Sequence, residues 1–97
     1  MLIIAGHLRV DPARRDRYLQ ATADVAPLAR RFPGCLEFVQ AADPAEADRI
    51  VIYERWESDE DLMAFRTSGS PDDDAAEPPD ILDADVRKYR ISAVEAP

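Results

Sequence analysis

Cysteine, histidine and clustered positive charge are all scarce in this chain of 97 residues. Cys35 is the single cysteine, which excludes an internal disulfide and any thiolate-rich metal site. At the head of an apolar alternation it reads as a small core residue, not a reactive thiol. Twelve Lys and Arg against twenty Asp and Glu leave a net charge of −8. Nucleic acid and anionic membrane surfaces need gathered positive charge, so neither is an expected partner. Small neutral or apolar ligands and other protein chains remain. No apolar run is long enough to span a bilayer, and Met1 to Gly6 is too short and lacks the basic flank of a secretory signal. The expected location is the cytoplasm. A chain of this size forms a single domain over 1–97, and a partner subunit would add to the modest area it buries.

What is present centres on RIVIYERWESDEDLMAFR, residues 49–66. Ile50, Val51, Ile52 and Tyr53 are apolar on both alternating faces, the pattern of a central strand covered on both sides. Ser58 stands three residues before Asp61, an N-cap followed by first-turn acids that suit the helix dipole. Trp56 therefore marks a strand-to-helix corner.

Upstream, residues 2–10 form a strand with Leu2, Ile4, Gly6, Leu8 and Val10 on one face and Ile3, Ala5, His7 and Arg9 on the other. Asp11-Pro12 supplies a cap and a first-turn proline. The spacing predicts a helix from Pro12 towards Arg31, with Tyr18, Ala21, Val25, Leu28 and Phe32 in one stripe. Pro27 costs an interior helix about 3 kcal/mol and predicts a kink near Ala23. Pro33-Gly34 ends the helix, and residues 35–42 alternate as a strand with Leu36 and Phe38 inward, so that 35–56 reads as a hairpin.

Residues 68–80 are rich in proline and acid and predict a flexible acidic loop. Asp72, Asp73 and Asp74 in it read as a solvated acid run, not a metal site, since consecutive acids cannot converge on one ion without a shaped loop. Ile81 and Leu82 are expected to pin its far end to the core. A last strand over 86–94 places Tyr89, Ile91 and Ala93 on one face, and its Lys and Arg suit a sheet edge.

The order strand, helix, strand, strand, helix, strand defines an α+β, ferredoxin-like βαββαβ fold with an antiparallel sheet. Right-handed crossovers put both helices on one face, leaving the other apolar face open. A homodimer packing sheet face on sheet face would cover it.

Pro33-Gly34-Cys35, Glu54-Arg55-Trp56-Glu57-Ser58 and Leu62 through Phe65 resemble the antibiotic biosynthesis monooxygenase (ABM) family. The resemblance implies the dimeric α/β barrel form of the fold, a pocket between sheet and helices, and, for some members, oxidation of aromatic polyketide phenols with dioxygen and no cofactor. Trp56 matches the family's common tryptophan. Two positions depart: Ile52 stands where the phenol oxidases have asparagine, and Phe65 or Arg66 where haem-degrading members have histidine, which disfavours haem. Metal is not expected either.

Cofactor-free oxygen chemistry needs a base and a dry apolar chamber. His7 has the ordinary proton affinity for a base near neutrality; the plainer reading is a histidine hydrogen-bonded at the dimer-facing surface. Trp56 would stack on a planar ligand, Phe65 would wall the ring, with Met63 as core or further wall, Arg66 would balance negative charge, and Tyr53 would reach the ligand or the interface. The reading is a monooxygenase acting on a small aromatic, polyketide or quinol-like molecule. The competing one is a non-catalytic dimeric module whose pocket its own side chains fill.

Overall fold

The computed structural model describes residues 1–68 and 81–97. The expected acidic loop and its three aspartates fall largely outside the described residues.

Four strands, β1 (Leu2–Val10), β2 (Cys35–Ala42), β3 (Arg49–Trp56) and β4 (Ile81–Arg90), form one antiparallel sheet in the order β2-β3-β1-β4. This is the ferredoxin-like arrangement, with the two most apolar strands in the middle. Period-two alternation sorts their side chains. Leu2, Ile4, Leu8 and Val10 of β1 and Ile50, Ile52, Glu54 and Trp56 of β3 are buried, while their neighbours on the opposite face are half-buried. All helices pack on the first face.

The long first helix expected from Pro12 is instead three pieces: a 3-10 turn (Pro12–Arg14), α1 (Arg15–Ala21) and α2 (Val25–Arg30). The break at 22–24 exceeds the expected kink, and it relieves the proline. Pro27 now sits in the first turn of α2, where a missing N–H leaves no bond unmade. The Thr22 hydroxyl donates to the Tyr18 carbonyl at 2.9 Å, competing with helix continuation. The break also rotates the stripe, so that Thr22 and Ala29 are buried and Ala21 is exposed.

Other expectations fail for reasons of register. Pairing runs Cys35 to Trp56 and then Glu37 to Arg55, which leaves Leu36 in a β-bulge and 41% exposed instead of inward. A second irregularity between Arg9 and Val10 turns Leu82 outward, 70% exposed, while Ile81 packs on the core as expected. β4 begins and ends earlier than expected, so Ile91 and Ala93 lie beyond it. Gly6 has φ near +155°, and a Cβ there would collide with the backbone of Asp85 and Val86. Its bareness lets β4 approach β1.

The β3-to-α3 corner forms as expected. Ser58 caps α3 (Asp59–Arg66), its hydroxyl accepting from the Asp61 amide at 3.2 Å. Asp59 at the helix start receives Arg90 at 2.8 Å and Lys88 at 2.9 Å. These bonds tie α3 across to β4.

Candidate functional site

The interior under the helices is two apolar clusters, not one. The first joins Leu2, Ile4, Ala29, Phe38, Trp56 and Leu62; the second joins Leu8, Val10, Tyr18, Ile50 and Ile52. At the edge of the second cluster runs the row in which Gln40 of β2 opposes Ile52 of β3, and Ile52 opposes Gly6 of β1. This row is partly polar: the Gln40 amide donates to the Thr22 hydroxyl at 2.6 Å. Glu54 occupies the next row on the same face, between Phe38 and Ile4.

Trp56 is fully buried at the end of β3. Its indole stacks on Phe65 at 5.6 Å and 28°, and Phe65 in turn meets Phe32 and Phe38 edge-on at 5.2 and 5.9 Å. These are the geometries that aromatic quadrupoles favour. The indole Nε1–H donates to Glu54 Oε1 at 3.0 Å.

Glu54 is 9% exposed, and burial raises its proton affinity above that of an ordinary glutamate, with the Trp56 hydrogen bond and the positive charge of Arg66 pulling the other way. Cys35, opposite Trp56 across the hairpin, is raised for the same first reason, burial, and then by the charge of Glu54. Among the described residues no cluster of potential metal ligands occurs.

The sheet divides the residues expected to act together. Trp56 and Phe65 lie on the helix-covered side, with Arg66 exposed at the end of α3 and close enough to act on Glu54. His7 and Tyr53 belong to the other alternation, beside Ala5 and Val51, on the open face. His7 Nδ1 lies 3.5 Å from Arg49 Nη2; a guanidinium only donates, so this nitrogen is the acceptor. Met63, expected as core or pocket wall, is 51% exposed. It points off the far side of α3. Glu54 was missed, although its signal was present: an acid two residues before a tryptophan on one strand shares that tryptophan's face.

A surface groove of about 240 Å³ lies elsewhere, lined by Asp24, Pro27, Leu28 and Arg31. None of these four residues belongs to the cluster around Trp56.

A ferredoxin-like sheet with an aromatic, acid-bearing interior under its helices defines a class of small α+β proteins. Within that class the chain belongs to the ABM (antibiotic biosynthesis monooxygenase) family, whose model matches residues 1–73. A solved structure from Chloroflexus aurantiacus J-10-fl, grouped with the antibiotic biosynthesis monooxygenases, is 28% identical with a TM-score of 0.76, over 98% of this chain and 96% of that one. Structures so grouped from Deinococcus radiodurans (18% identity, TM-score 0.83, 99% and 97% covered) and Nitrosomonas europaea (17%, 0.82, 96% and 100%) share the fold. No functionally curated protein matches the chain.

Proposed function

We propose that the protein is a cofactor-independent monooxygenase that oxidises a small hydroxyaromatic, polyketide or quinol-like, with dioxygen. The observation that carries this reading is the aromatic interior of Trp56, Phe65, Phe32 and Phe38 with one buried carboxylate bonded to the Trp56 indole. A planar substrate entering such an interior is desolvated, and its electron-rich anion is favoured near Arg66. That anion passes electrons to dioxygen. One oxygen atom enters the ring as the quinone carbonyl and the other leaves as water, so an anthrone and dioxygen give an anthraquinone and water. Trp56 and Phe65 wall the ring.

The open sheet face serves a second subunit in this reading. Ile3, Ala5, Val39, Val51 and Tyr53 are only half-covered in the single chain, and His7 and Tyr53 take places in that contact.

Oxygen uptake with a panel of anthrones and naphthols tests the function. Turnover that falls with Trp56→Phe or Arg66→Ala supports it; a panel without uptake contradicts it. One observation favours the competing reading of a non-catalytic dimeric module: Trp56 has no exposed surface, and Phe65 already occupies one face of its ring. A planar ligand would then have to displace Phe65, and tight binding with no turnover would mark this case.

A further inference from the structure

The Glu54 carboxylate has two unequal oxygens. Oε1 is held by the Trp56 indole at 3.0 Å. Oε2 has no hydrogen-bond partner among the described residues, and the residue keeps 9% of its surface exposed. Beside it lies the row of Gly6, Ile52 and Gln40, in which Ile52 belongs to the second apolar cluster while Gly6 and Gln40 are only half-buried. The groups that face Glu54 are few: Trp56 on its own strand, Cys35 on β2 and Arg66 from α3. Lys88, two strands away in its row, is committed to Asp59.

We propose that Glu54 is the proton acceptor of this site, with Oε2 taking a proton from the acidic C–H or O–H of a neutral, enolisable aromatic lying over Gly6 and Ile52. The substrate's C–H or O–H bond breaks, an O–H bond forms at Oε2, and the electron pair stays on the substrate as enolate or phenolate. No oxidant enters this step. Trp56 is the positioning residue, fixing Oε1 so that Oε2 points at the substrate. Burial strengthens the base by raising its proton affinity above that of an ordinary glutamate. Carboxylate-bearing substrates are disfavoured, since their charge would meet Glu54 in a chain of net charge −8.

This assignment rests on the oxidase reading for its substrate class, but the proton step can be read without oxygen. Anthrone in D₂O under argon exchanges its C10 hydrogen when a base removes it, and proton NMR follows the loss. The wild-type protein is expected to accelerate exchange over buffer, and Glu54→Gln to lose that acceleration by about a hundredfold or more, the usual share of a general base. Glu54→Asp, which keeps a carboxylate, retains part of it. Trp56→Phe removes a bond that favours the charged form, so its exchange profile shifts to higher pH, which a merely structural role would not do. Exchange that is equal in wild type and Glu54→Gln, or no faster than buffer, overturns the assignment. Exchange without oxygen uptake upholds Glu54 and overturns the oxidase reading. Uptake unchanged in Glu54→Gln does the reverse.

Discussion

Trp56 Nε1 and Glu54 Oε1 lie 3.0 Å apart on one face of one strand, and Trp56 is the chain's single tryptophan. Its fluorescence is therefore a private reporter of Glu54. The emission is expected to titrate with a midpoint above the ordinary glutamate range, because burial raises Glu54. Glu54→Gln abolishes that transition. A flat titration in the wild-type protein would mean that the carboxyl is not held as described.

The same group sets a sign for stability. A carboxyl raised by burial stays protonated in the folded chain after the unfolded chain has released its proton. Glu54's contribution is therefore fully present below the ordinary glutamate range and is lost as pH climbs through its raised folded value. Urea denaturation across this window is expected to show a falling contribution in the wild type that Glu54→Gln lacks.

Asp59 has the opposite sign. Hydrogen bonds from Arg90 and then Lys88 lower its pKa to about 2, so its contribution is present above the ordinary aspartate range and lost as pH falls towards 2. Amide protection factors, which are corrected for the intrinsic exchange rate at each pH, should fall together at the α3 start and the end of β4 on acidification. In Asp59→Asn both segments should already be fast at neutral pH, since this pair of bonds joins them.

Gly6→Ala is expected to destabilise by about 3 kcal/mol, as an added methyl must push β4 off β1 and adopt an unfavourable φ. Chemical denaturation measures the loss. Trp56→Ala should cost about 3 to 5 kcal/mol for the cavity it leaves in a fully buried site. Trp56→Phe should cost much less, keeping the ring that stacks on Phe65.

Much of the fold was legible because its signals are local. The Ser58 cap, the doubly apolar Ile50 to Tyr53 run and the Pro33-Gly34 stop each act within a few residues, and each forms as the sequence indicates. The outward turn of Leu36 was not legible, since a bulge arises from how two strands meet. The separation of His7 from Trp56 follows from the pairing of His7 with Val51, a register that no single strand encodes. Glu54 is not legible as a base in the sequence because ordinary proton affinities favour histidine; burial, a property of the packed chain alone, raises the acid.

In the proposed function the ligand lies on the helix side of the sheet, against Glu54 and Trp56, and the His7 side serves the subunit contact. The lone indole N–H gives one unambiguous cross-peak in a ¹H–¹⁵N spectrum, so titration with 2-naphthol tests this directly. The indole peak of Trp56 and the side-chain amide of Gln40 are expected to shift with saturation while the His7 imidazole stays still. A shift confined to His7 and its neighbours Val51 and Arg49, with the Trp56 peak unmoved, would contradict the account.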